Sequence, residues 1–433
     1  MMNPFDRIIG YESIRKELER TADALKNTEI YSRLGVSAPR GLLLYGNPGV
    51  GKTLMASCLI DASGRTAYTC RKDHPDGEFV NVIRNVFEKA VQEAPSIVFL
   101  DDLDKFANND NDHKDSEEYV TVQSCIDAAR KSEVFVLATA NDLDDLPESL
   151  TRPGRFDRLI EVDTPSGEDA AKIVRHYLES KACVADVDPE TIACTMTGHS
   201  CAELETAINK AGLLAGYERS ETITMRHLLL GCMDIVHHVS PDSILKGKSD
   251  IDSMRAAYHE AGHALVSELL FPNSVSVICL HEDHGCISGF TSYRCNHNIY
   301  TLDDRMNAVA RIMGGRAATM QKFGVADLGC SKDVDHANHT LLTLTKDMVA
   351  FGFRFYDKGY ENSDQLRFRQ EQMAALKMDE CYNRALRLIA ENRELLDAIA
   401  KELLQNGLLV ADDVQRVIRT TSNHEAFLHH DVL

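Results

Sequence analysis

The chain has 433 residues, 44% of them apolar, and a formal net charge of −20, enough for roughly two to four domains with sizeable cores. The acidic balance excludes nucleic acid as the main partner, because phosphate binding needs clustered Lys and Arg; it reads as a solubilising surface. No apolar run approaches the roughly 18 residues of a membrane span, and none of the twelve Cys is spaced as Cys-x-x-Cys, which points to free thiols in a reducing compartment.

Residues 1–40 read as a short approach with one helix, Ile14 to Lys26. Three apolar runs follow, Gly41–Tyr45, Ser96–Leu100 and Val134–Ala138, each typical of a buried parallel strand. Helical patterns such as Val82–Phe87 separate them, so this segment predicts a parallel sheet covered on both faces. The acidic stretch Asn108–Glu118 reads as a solvated connection. From Ser166 the strand pattern stops, and a small helical region runs to Val239. Ser240–Ser249 contains Pro and Gly and reads as a linker. Residues 250–433 are mostly helical, with one β-like island from Val275 to Tyr293. The expected domains are therefore 1–165 (α/β), 166–239 (helical) and 250–433 (mostly helical), with 240–249 joining the last two.

The first strand leads into Gly46, Asn47, Pro48, Gly49, Val50, Gly51, Lys52 and Thr53, with Leu54 opening a helix pattern. This is Gly-x-x-x-x-Gly-Lys-Thr in its required strand-to-helix context. Glycines let backbone N–H groups wrap phosphates, and the helix N-terminus adds positive potential. Lys52 is expected to reach the β and γ phosphates of ATP, and Thr53 to ligate Mg²⁺. The second strand ends in Asp101 and Asp102, the first to hold Mg²⁺ and the second to polarise the attacking water. Asn141 follows the third strand, at the end that faces the ligand crevice. Thr151–Arg158 then presents three Arg, which by themselves read as a solvated basic turn.

The second pattern is His259-Glu260-x-x-His263. On a helix the two imidazoles project from one face about 40° apart, so both can reach one Zn²⁺ with Glu260 beside them as general base. Met254, Ala257, Ala261, Leu265 and Leu269 keep helical spacing around the motif, and Phe271-Pro272 ends the run. Zinc needs a third protein ligand. Glu282, Asp283, Asp327, Asp333 and Asp335 all qualify, and spacing does not choose among them.

Gly46–Thr53, Ile97–Asp102, Asn141 and Arg152–Arg158 together resemble the AAA ATPases, and with His259–His263 they resemble specifically the FtsH-type ATP-dependent zinc proteases. The resemblance runs from about Phe5 to about Ile418. It implies an α/β P-loop domain with a small helical lid, then a mostly α-helical zinc peptidase domain. It implies that Asn141 senses the γ-phosphate, and that Arg155 and Arg158 reach a neighbouring subunit's ATP, hence a homo-oligomeric ring, by family a hexamer. It places His176 near the adenosine and Gly198 to Ala202 in the lid beside the base. It selects Asp333, after Gly314–Ala318, as the third zinc ligand.

Three departures stand out. Met1 lies just ahead of the ATPase region, where family members usually begin with membrane-spanning segments; the chain is either a soluble, cytoplasmic member, which is the expectation, or one trimmed of those segments. Asp102 replaces the family's Glu and is one methylene shorter. The pore-loop position reads Arg71–Phe79, with Phe79 its only aromatic. The function expected is ATP-driven unfolding and zinc-dependent degradation of unfolded or tagged proteins. The alternatives are a remodelling ATPase that does not cut, and a zinc peptidase whose nucleotide is structural.

Overall fold

The computed structural model describes residues 3–36, 39–72, 78–107, 116–152, 154–183, 187–294, 301–325, 328–346, 350–351 and 364–421. Most of the acidic stretch 108–118, residues 73–77 of the pore-loop position, Pro153 and the ligand candidate Asp327 lie outside the described residues. The chain forms two compact units, one of Met1–Cys183 with Met196–Lys210, the other of Val184–Thr195 with Ala211–Leu433. The segment 166–239 is thus divided between them.

Through the first 183 residues the elements are α1 (Glu12–Lys26), α2 (Thr28–Arg33), β1 (Gly41–Tyr45), α3 (Lys52–Ser63), β2 (Thr66–Cys70), α4 (Phe79–Gln92), β3 (Ser96–Leu100), α5 (Ser116–Ala129), β4 (Val134–Ala140), β5 (Arg158–Glu161) and α6 (Gly167–Leu178). The five strands form one parallel sheet in the order β2-β3-β4-β1-β5. β3 and β4 are buried along their whole length, as Ile, Val, Leu and Phe runs must be when both sheet faces are covered. Strands β2 and β5 were not expected. Each carries polar residues at exposed positions on a sheet edge, so neither reads as an apolar run.

The remaining elements are α7 (Pro189–Thr195), α8 (Cys201–Tyr217), α9 (Met225–Val236), α10 (Ile251–Leu270), β6 (Val275–Asp283), β7 (Cys286–Tyr293), α11 (Leu302–Ile312), α12 (Gly314–Phe323), α13 (Ser331–Lys346), α14 (Asp364–Glu391), α15 (Arg393–Asn406), β8 (Leu408–Val410) and α16 (Ala411–Thr421). The core of the second unit surrounds α10, whose Ala257, Ala261, Ala264 and Leu265 are fully buried. Asp250 caps the helix, accepting from the Ser253 N–H at 2.9 Å. Antiparallel strands order as β7-β6-β8, with β7 at an edge. His284 and Gly285 both have positive φ, the geometry of a two-residue hairpin turn that matches strand twist. Among the described residues no helix is long and apolar enough to cross a membrane. Among the described residues ten cysteines are free thiols and Cys194 is disulfide-bonded, which corrects the expectation of free thiols throughout.

Glu268, near the end of α10, is buried and accepts three hydrogen bonds at 2.8 Å: from the N–H groups of Asn273 and Val275 and from the Gln415 side-chain amide. Burial raises its pKa above the ordinary 4.5, against the pull of those donors. The folded chain therefore holds this proton more tightly than the unfolded one. The stability it contributes is fullest below the unfolded pKa and declines as pH rises through the folded value. Glu268→Ala leaves three donors without an acceptor and should cost about 2–4 kcal/mol in urea unfolding.

Candidate functional site

The nucleotide-side residues gather at the carboxyl edge of the parallel sheet, where such folds place their ligand crevice. β1, β3 and β4 are followed directly by Gly46, Asp101 and Asn141. Gly49 and Gly51 have φ of 79° and 99°, left-handed backbone that glycine adopts without strain. A Cβ at Gly46 would run into the Val162 carbonyl. Gly51 caps α3, so the unpaired N–H groups of the first turn face the loop.

Lys52 is buried at 6% exposure. Its ammonium donates to the carbonyls of Gly46 (2.5 Å) and Asn47 (2.9 Å) and to Asn141 Oδ1 (3.1 Å). Burial pushes its pKa down, while Asp104, Asp102 and Asp101 pull it up. Asp101 accepts from the hydroxyls of Thr53 at 3.2 Å and Thr139 at 2.9 Å. Arg71 lies 3.4 Å from its other oxygen. Asp102 has φ of 55°; its N–H donates to Thr139 Oγ1 at 2.9 Å and its carboxylate pairs with Lys105 at 2.6 Å. Asn141 Nδ2 donates to Asp104 Oδ2 at 2.8 Å.

Sequence reading did not single out Thr139, Asp104, Arg71 or Lys105. Thr139 had a signal, being the only polar residue in β4. So did Asp104, an acid three residues after Asp101 at the ligand edge.

A cavity of about 660 Å³ opens beside the loop, with Lys52, Thr53, Leu54, His176 and Ala202 in its wall. The Ala202 N–H donates to the Gly49 carbonyl at 3.1 Å. Gly198 turns the chain at φ 83° and is not part of that wall.

The two arginines expected to reach a neighbouring subunit's ATP differ. Arg155 makes a bidentate pair with Asp127 at 2.8 and 3.2 Å, and also donates to the Ser149 carbonyl. Arg158 is mostly exposed, 3.5 Å from Glu17, and lines a groove of about 860 Å³ with Arg20, Arg40 and Arg130. Phe79 is a core residue, edge-on to Phe106 with ring centroids 5.1 Å apart.

The metal-side residues sit in the second unit. His259, His263 and Asp333 form, among the described residues, the one group whose ligand atoms all lie within 4.8 Å of one another. The two Nε2 atoms are 3.1 Å apart, and Asp333 Oδ2 is 3.0 Å from His259 and 3.4 Å from His263. Burial opposes ionisation of Asp333, but the two imidazoles outweigh it and hold the carboxyl below its usual range. His263 Nδ1 lies 3.0 Å from the Arg311 carbonyl. A carbonyl only accepts, so Nδ1 carries the proton and Nε2 keeps its lone pair for a metal. Two imidazole nitrogens and one carboxylate at this spacing fit Zn²⁺.

The rival acids lie elsewhere. Glu282 pairs with Lys248 at 3.1 Å, Asp283 with His284 at 3.7 Å, and Asp335 is exposed. Beside the ligands, Tyr258 donates to Asp397 of α15 at 2.5 Å, and Lys322 of α12 reaches the same oxygen at 2.8 Å.

Two glycines make room for this centre. A Cβ at Gly315 would lie 2.6 Å from both His259 Cε1 and His263 Nε2. A Cβ at Gly262 would strike the Gly314 carbonyl, so α10 and α12 meet backbone to backbone there. Gly315→Ala should therefore lower zinc affinity at least about tenfold by displacing the imidazoles, read by competition with a chelating dye.

Glu260 faces β7. Thr291 Oγ1 stands 2.8 Å from its Oε2. On the same strand Phe290 stacks on His237, centroids 3.9 Å apart.

Comparison with known proteins agrees with both halves. Residues 42–164 match the model of the ATPase family associated with various cellular activities (AAA), and residues 248–417 match Peptidase family M41. The "ATP-dependent zinc metalloprotease FtsH" of Synechococcus sp. (strain JA-2-3B'a(2-13)) is 29% identical, over 96% of this chain and 70% of the relative. Those of Leptotrichia buccalis and Pelobacter propionicus are also 29% identical, over 96% and 98% of this chain and 57% and 72% of theirs. The two matches give the chain an AAA ATPase module followed by an M41 peptidase module, and over nearly its whole length it is similar to the FtsH-type proteases.

Proposed function

We propose that this chain is an ATP-dependent zinc metalloendopeptidase that unfolds and degrades protein substrates in a homo-oligomeric ring, by family a hexamer, in the cytoplasm. One observation carries the reading: the chain holds both a phosphate loop with its acids in place and a His–His–Asp cluster with a buried acid beside it.

At the first site Gly46–Thr53 would hold the phosphates of ATP, with Thr53 and Asp101 on Mg²⁺. Asn141, set by Asp104, would meet the γ-phosphate, and Asp102 would orient the attacking water. Arg158, exposed on the groove, is the better placed of the two arginines to reach a neighbour's nucleotide; Arg155 would have to leave Asp127 first. A guanidinium given in trans makes hydrolysis depend on assembly.

At the second site His259, His263 and Asp333 would hold zinc, which supplies Lewis-acid activation of a water. Glu260 takes a proton at its carboxylate and returns it to the leaving amine. The edge position of β7 leaves a row of backbone groups for an extended peptide to pair with.

The test is degradation of an unfolded protein with and without ATP. Loss of product formation on omitting ATP is expected. Equal degradation without nucleotide, or none with zinc present, would overturn the reading.

The short arm of Asp102 and its tight pairing with Lys105 favour one second reading. In it, nucleotide holds the ring together and is turned over slowly or not at all. A zero steady-state ATPase rate in the assembled oligomer would establish that alternative.

A further inference from the structure

Glu260 packs against two residues of β7 that lie about thirty positions further along the chain. Thr291 Oγ1 is 2.8 Å from Glu260 Oε2, and 3.2 Å from the Glu260 backbone carbonyl. Neither acceptor carries a proton when the carboxylate is ionised, so the threonine is the donor, and its single proton goes to the nearer, charged oxygen. Two residues earlier on the same strand stands Gly289. A Cβ there would lie 2.6 Å from Glu260 Cγ and 3.0 Å from Oε1. Thr291 thus ties one carboxylate oxygen, and the missing side chain at Gly289 makes room for the glutamate itself. Glu260 is 6% exposed, and a buried side chain with three rotatable bonds needs such a clamp to hold one orientation.

We infer that Thr291 is a positioning residue for the base: it fixes Glu260 Oε2 so that Oε1 is the oxygen that exchanges the proton, while Gly289 leaves room for the Glu260 side chain to lie against the strand. This rests on the assignment of Glu260 as general base. Thr291 touches neither substrate nor metal ligand in this role and acts only through Glu260. The strand that carries the clamp is also the edge strand, so a peptide paired along it would lie beside an acid already oriented.

The experiment is a double-mutant cycle on the full-length, zinc-loaded protein, with Thr291→Val and Thr291→Ser in the Glu260 and Glu260→Gln backgrounds. Two quantities are read: kcat and KM on a short peptide, and the affinity for a peptide hydroxamate, a chelating probe whose acidic hydroxyl faces the base. The hydroxamate needs no turnover, so it reports in all variants. Thr291→Val should lower kcat about tenfold to a hundredfold with KM little changed. It should weaken hydroxamate binding with zinc content unaltered, and Thr291→Ser should restore both. In the Glu260→Gln background Thr291→Val should add nothing to the hydroxamate loss.

Wild-type behaviour of Thr291→Val would overturn the inference. So would failure of Thr291→Ser to rescue, or an equal loss of hydroxamate affinity in both backgrounds, because each marks a packing role. Failure of the base assignment looks different: Glu260→Gln itself would keep full turnover.

Discussion

Glu260→Gln should lower peptide hydrolysis by about 10²- to 10⁴-fold, with zinc content and ATP hydrolysis unchanged. The amide keeps the length of the carboxylate and its carbonyl can still accept from Thr291, so the site should stay assembled. What it loses is the capacity to take a proton. Single-turnover cleavage of a quenched peptide, beside metal analysis and a coupled ATPase assay, separates the two halves of the protein. Near-normal cleavage by this variant would mean that the base lies elsewhere. Complete loss of ATPase would mean that the substitution disturbs more than one carboxylate.

Asp333→Ala should empty the metal site, taking zinc from about one per chain to near zero and peptide hydrolysis with it. The carboxylate is the only anion in the ligand group, and the two imidazoles beside it favour its ionised form. Two neutral imidazoles alone make a weak site for a doubly charged ion. Nucleotide binding, measured by a fluorescent ATP analogue, should be unaffected. Full zinc occupancy in Asp333→Ala would return the third ligand to the other acids.

The two signatures were legible because each is local. Gly46–Thr53 spans one turn between a strand and a helix, and His259–His263 spans one helical turn, so residue spacing alone states which groups share a face. The α/β alternation was legible through β1, β3 and β4, whose side chains are apolar on both faces. Strand β8 is three residues long, too short for any periodicity, and it exists because Gly407 turns the chain at φ 72° and lets it pair with β6.

What orients the chemistry was not legible. His259 finds Asp333 across 74 positions, His263 finds a backbone carbonyl 48 positions away, and Glu260 finds Thr291 across 31. No spacing rule reaches that far. Asp333 could be chosen only by family likeness, and a carbonyl leaves no mark in a sequence at all. Gly315 was visible as half of a Gly-Gly pair, yet its purpose, room for two imidazoles, appears only when α12 is laid on α10.

The meeting of α10 and α12 through Gly262 and Gly314 also limits how this metal centre can diverge. At that crossing main chain meets main chain with only the Ala318 methyl beside it, so those helices have little spacer whose size could be varied, and the distance between the imidazoles and Gly315 is set largely by main chain. Gradual adjustment of reactivity is left to the partners that approach through side chains, α13 with its aspartate and β7 with its threonine. Laboratory selection for altered cleavage in this scaffold should accumulate its changes on those two elements and spare the glycines.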